Sequence, residues 1–222
     1  MSKNGKVSVA SMSKIEQELM GFFKAWKSDK HSRYLSWEHC YNFFQDNKNK
    51  ILNDDYLLDV ACLQLSFYLA SCGMYRGSSN ILWKDYKIHK NLITELIKNC
   101  ADLWIDITWE QLEKAKNLIK NCYSDYDITA TDTLITKVLL GMFGCIPAYD
   151  NFFKVGLRLY NREHNKNILL TFNKDSFNEL KTIAKTIKSH KDFKNYPPMR
   201  LIDAYFWWIG GGKEAHEKRA NI

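Results

Sequence analysis

One carboxylate stands out by its neighbours. The run LLGMFGCIPAYDNFF (139–153) is apolar, bends at Gly144-Cys145-Ile146-Pro147, and then presents Asp150 ahead of two phenylalanines. An acid at such a break has two uses. It can cap a helix that begins near Asn151 by accepting a backbone N–H. It can also face a pocket and stabilise an oxocarbenium-like sugar or orient a water, as carboxylates do in glycosyl cleavage. Asp150 is therefore both the candidate catalytic residue and a candidate cap.

A second stretch, CGMYRGSSNILWKDYKIH (72–89), sets Arg76 and Gly77 ahead of Ser78 and Ser79, with Lys84 and Lys87 following. A helix opening at either serine would present unsatisfied N–H groups and a positive dipole end to an anion. Arg76 can add a bidentate contact to phosphate or carboxylate. The same residues also suit plain capping after a tight turn. Other chemistries lack their motifs. His31, His39, His89, His164, His190 and His216 form no H-x-x-x-H or H-E-x-x-H pair, and no C-x-x-C completes a metal set. There is no G-x-S-x-G elbow and no Walker loop, and the terminal GGGK follows a helical pattern. Neither a metal nor a cofactor is expected.

The longer segment DITATDTLITKVLLGMFGCIPAYDNFFKVGLRLYN (127–161) orders a helix, a Phe-Gly-x-x-Pro connection, an acid, and a helix bearing Lys154 and Arg158. Over these roughly thirty residues it resembles the end of the catalytic core in the helix-hairpin-helix DNA glycosylase superfamily. The resemblance places Asp150 on the family's catalytic aspartate, Gly144 and Pro147 on its turn, and Lys154 and Arg158 on the basic residues that follow. The family's glycine-rich hairpin would fall at TATDT (129–133), which has no glycine, and its lyase lysine near Thr131, with Lys137 the nearest lysine. The resemblance thus implies a monofunctional N-glycosylase-like hydrolase without lyase activity. A flipped base also needs aromatic faces, and Trp83, Tyr86, Tyr149 and Phe153 are the candidate pocket residues. In the adjacent pair Trp207-Trp208 the rings point about 100° apart on a helix, so one of them can line a groove. The segments LASCGMYRGSSNILWKDYKIH and YPPMRLIDAYFW further resemble stretches of bacterial proteins of no assigned activity.

Elements that must position these residues read as helices. Apolar residues are 45% of the chain, and 3 prolines and 10 glycines are few for a β-protein that turns every ten residues or so. Ile15, Leu19, Phe22, Phe23 and Trp26 recur at helical spacing behind a Ser13/Glu16 capping box. Further helices are expected over 37–46, 54–72, from 78 or 79 onward with a bend near Lys87, over 109–123 behind Thr108, and to Phe143 behind a cap at Thr131, Asp132 or Thr133. Another should start at Pro147 and run to about Asn161, followed by 176–189 and 198–209. The run ILLTF (168–172) is the one strand-like stretch. The fold class is all-α, with eight to ten helices in one body or two lobes. The expected organisation is a tail over 1–12, a helical domain over 13–209 and a flexible tail over 210–222.

No apolar run approaches the roughly 18 to 20 residues of a membrane span. The polar N-terminal stretch and six cysteines that sit among apolar residues suit a reducing, cytoplasmic setting. Residues 151–222 carry 14 Lys/Arg against 7 Asp/Glu, so the whole formal excess of +7 lies in that third. Such asymmetry points to a polyanion, with nucleic acid as the partner through 151–209. Two rivals accompany this expectation. One is a helical interaction or regulatory protein of a bacterial accessory or defence system, with a protein partner. The other is a binder of a small phosphorylated ligand at Arg76–Ser79.

Overall fold

Capping residues fix where most helices begin. The computed structural model describes residues 13–77, 79–104, 107–187 and 193–220. Within them run α1 (Lys14–Lys27), α2 (Leu35–Asn47), α3 (Asp55–Ser71), α4 (His89–Asn99), α5 (Trp109–Ser124), α6 (Asp132–Phe143), α7 (Asn151–His164), α8 (Lys174–Ala184), α9 (Pro198–Trp207) and α10 (Lys213–Ala220). Side chains of Ser13, Asp54, Thr108, Thr131, Asp150 and Asn173 each accept the N–H groups that their helix leaves orphaned. The fold is all-α as expected, and no strand occurs among the described residues. The expected tail at 1–12 and Ser78 lie outside the described residues.

Several expectations are corrected. ILLTF is not a strand, because Asn161 takes up the N–H and C=O of Ile168 (3.2 and 2.9 Å) that a sheet would have paired. The helix expected from Ser78 or Ser79 is replaced by two short 3₁₀ turns, Asn80–Trp83 and Tyr86–Ile88, separated by extended backbone at Lys84. Asp85 accepts the N–H of Lys87 and starts the second turn, so the α-helix begins only at His89. Pro147 does not open α7. The N–H groups of Ala148 and Tyr149 are held by Asp203 and Thr136, which keeps this segment non-helical until Asp150. The C-terminal glycines lie within helical structure. The turn Trp208–Gly212 kinks at Gly211 (φ 132°) and leads into α10.

Closely packed helix pairs fall into two sets. α2 to α6 pack among themselves, while α1, α7 and α8 each pack on α9, and α10 on the Trp208–Gly212 turn. Backbone-to-backbone contact locks the second set. A Cβ on Gly156 of α7 would lie 2.0 Å from the Phe206 carbonyl oxygen, and one on Gly210 would lie 1.9 Å from that of Phe152. In the first set, fully buried His89 sits between the hydroxyls of Tyr75 (2.9 Å) and Tyr123 (3.1 Å).

Two outcomes follow. Gly156→Ala should destabilise the fold by about 3 kcal/mol in urea unfolding, because α7 and α9 must separate; a change below about 0.5 kcal/mol would contradict the contact. Burial lowers the His89 pKa to about 3, against a smaller opposite pull from Asp85. Its native form is therefore neutral while the unfolded chain takes up a proton below about pH 6.5, so stability falls as pH drops from there toward 3. His89→Gln should lose less stability than the parent between about pH 6.5 and 5, and equal losses would contradict it.

Candidate functional site

The site is assembled at the seam between the two helix sets. α6 reads DTLITKVLLGMF, apolar but for a lysine in mid-helix, and all of Leu134–Phe143 is buried. A buried ammonium needs partners. Lys137 Nζ donates to the Cys72 carbonyl at the C-cap of α3 (2.9 Å), where the helix dipole favours a cation, and lies 3.3 Å from Asp150 Oδ2. The Lys137 side chain is 7% exposed and that of Asp150 21%.

Asp150 caps α7 and also meets a buried lysine. Its Oδ1 accepts the Phe153 N–H (3.0 Å) and caps α7, while Oδ2 faces Lys137. The connection that carries it is pinned along its length. Gly144 ends α6 in the left-handed conformation (φ 65°). Ala148 N–H donates to Asp203 Oδ1 (2.9 Å), Tyr149 N–H to Thr136 Oγ1 (3.0 Å), and Thr133 Oγ1 to the Tyr149 carbonyl (2.9 Å).

Beneath the connection lies a second buried pair, Arg200 with Asp203, one turn apart on α9. The Arg200 guanidinium lies over the rings of Trp37 (4.6 Å), Trp26 (4.8 Å) and Phe22 (5.8 Å), and its Nε is buried without an acceptor. Burial raises the Asp203 pKa, opposed by Arg200 and reinforced by nearby Asp150.

Above both pairs opens a cavity of about 410 Å³, in the range that holds small planar ligands. Tyr34, Trp37, Tyr68, Phe152 and Trp207 supply aromatic lining, and Arg33, Arg76, Lys137, Asp150, Arg200 and Asp203 supply charge. Phe152 and Tyr34 each meet Trp207 edge to face (5.4 and 5.2 Å).

Of the residues singled out in the sequence, Asp150 and Arg76 meet at this cavity. Ser79, Lys84, Lys154 and Arg158 do not line it. Ser79 makes no side-chain cap, and the 3₁₀ turn after it is too short to offer a helix N-terminus for an anion. The pocket residues expected are displaced. Trp83 stands 79% exposed, Tyr86 bonds Asp59, and Tyr149 and Phe153 are fully buried, with Tyr149 bonded to Ser176. Phe152 and Trp207 take that place, and Trp208 is buried instead. Lys137, the lysine nearest to the position that the glycosylase resemblance assigns to a lyase lysine, reaches Asp150. Its signal was a single charge inside an apolar helix.

No family model, curated protein or solved structure matches the chain. Among the described residues no group of three His, Cys, Asp or Glu is placed to hold a metal, and no helix is long and apolar enough to cross a membrane.

Removing one member of a buried pair strands the other charge. Lys137→Met should therefore cost roughly 1–3 kcal/mol, while Asp150→Asn should cost less, since asparagine also caps. The double variant should depart from additivity by about 1 kcal/mol. Additivity within about 0.3 kcal/mol in urea unfolding would show that the two groups do not interact.

Proposed function

We propose that the chain is a helical nucleic-acid-binding protein, DNA-glycosylase-like, that receives one nucleobase swung out of its strand. The observation that carries the reading is the pairing of Lys137 with Asp150 inside an aromatic-lined cavity whose charged lining has an excess of cations. Aromatic faces suit a base removed from its stack, and the cations suit the phosphates on either side of it.

Asp150 supports chemistry at the sugar. As the bond from C1′ to the base nitrogen breaks, positive charge grows on the sugar, and a carboxylate held in place by Lys137 and the Phe153 N–H is ready to stabilise it. Water then adds at C1′, and the base leaves with its bonding pair and a proton.

A second reading, a protein-interaction role, draws on α3. Tyr56, Leu63 and Phe67 lie on one side of that helix and are exposed. The polymer decides between them. Single-stranded DNA and RNA oligonucleotides should bind at about 50 mM salt and weaken steeply as salt rises, because phosphate contacts release counterions. Binding of neither polymer would sink the first reading. Where base release is seen on a damaged or mismatched duplex, Asp150→Asn should abolish it with the fold intact; unchanged release would leave Asp150 as a cap alone.

A further inference from the structure

We propose that Arg33 and Arg76 form a two-arginine clamp for the phosphate of the nucleotide whose base enters the cavity. The inference rests on the nucleobase reading above and names a phosphate grip that does not depend on a helix N-terminus.

The geometry begins with two serines. Ser36 Oγ and Ser71 Oγ are hydrogen-bonded, tying the start of α2 to the end of α3. Arg33 precedes Ser36 by three residues and Arg76 follows Ser71 by five, so both leave the same end of the helix pair. Both line the cavity, and both are exposed.

Charge then distinguishes outer from inner cations. The two inner cations have carboxylates, Lys137 with Asp150 and Arg200 with Asp203. Each of the four carboxylate oxygens already accepts a donor: the N–H groups of Phe153 and Ala148, the Lys137 ammonium and the Arg200 guanidinium. Among the described residues no carboxylate lies within 4 Å of Arg33 or Arg76. The uncompensated positive charge at the cavity therefore belongs to these two arginines. A dianionic or diester phosphate complements it, and paired guanidinium forks match phosphate oxygens.

Both side chains are also seated in advance. Arg76 packs on Gly73, where a Cβ would come within 2.9 Å of its Cζ and Nε. Gly73 has φ 75°, so the position suits glycine twice over. Arg33 lies over the Tyr34 ring at 5.2 Å. Stacking of this kind occupies the guanidinium face and leaves its edge N–H groups for an anion. Side chains ordered before binding lose less freedom when the ligand arrives.

The test uses the full chain, Arg33→Ala, Arg76→Ala and the double variant, all at exposed positions. Its probes are nucleoside 5′-monophosphates, the matching nucleosides, and single-stranded DNA and RNA oligonucleotides. The parent should hold a monophosphate about tenfold or more tighter than its nucleoside, and the double variant should bring the two level. With oligonucleotides, each single variant should lower the slope of log affinity against log salt by about one phosphate contact. Oligonucleotide binding with an unchanged slope in the double variant would overturn the clamp and leave the nucleic-acid reading standing. Monophosphate binding that needs both arginines, with no oligonucleotide binding, would uphold the clamp and overturn the polymer reading. No binding of either probe class would overturn both.

Discussion

Burial of a single ammonium, that of Lys137, sets the terms for the whole site. An apolar helix can carry a lysine at its centre only if oxygens meet it, and here they come from two directions: a carbonyl at the end of α3 and a carboxylate at the start of α7. The carboxylate can be there only if the connection 144–150 is fixed, and Asp203, Thr133 and Thr136 fix it. Asp203 in turn is steadied by Arg200 on the same helix. That helix and the turn after it lie against α7 at backbone contact because Gly156 and Gly210 carry no side chains. The chain of dependence runs from one buried charge to the packing of four helices, α3, α6, α7 and α9.

Much of this was legible in the sequence, and the limits have physical causes. Local signals are carried by nearby residues: the capping box at Ser13, the cap at Thr108 and the end of α6 at Phe143 lie where expected, and of the candidates Thr131, Asp132 and Thr133 it is Thr131 that caps α6. Asp150 posed a choice between cap and pocket, and in the fold one oxygen caps α7 while the residue also lines the cavity. Tertiary partners were harder to read. Whether Phe152 or Phe153 faces the cavity depends on where α7 starts, and the start was expected at Pro147. Once Asp150 caps the helix, Phe153 turns inward against Phe206 and Phe152 turns toward Trp207. The helix expected through 78–88 failed because Asp85 competes for a backbone N–H and restarts the chain at a second turn.

Charge tells a similar story. The formal excess sits in residues 151–222, yet Arg33, Arg76 and Lys137 at the cavity come from the balanced first 150 residues, and only Arg200 comes from the basic third. Part of the C-terminal charge is met by acids: Lys166 pairs with Glu179, and Lys174 with Glu110. Composition thus pointed toward an anion without showing where it would be held. Tertiary folding draws cations from distant segments to one opening, which no linear window can reveal.

The central claim is that the ring of a ligand lies between the aromatic walls over Lys137 and Asp150. Photo-crosslinking tests it directly, with a single-stranded oligonucleotide that carries one 5-iodouracil and mass spectrometry of the adducts. The expected adducts fall on Tyr34, Phe152 or Trp207, and free nucleotide in excess should suppress them. Adducts confined to residues away from the cavity, such as exposed Trp83 or the lysines of α8, would contradict the account.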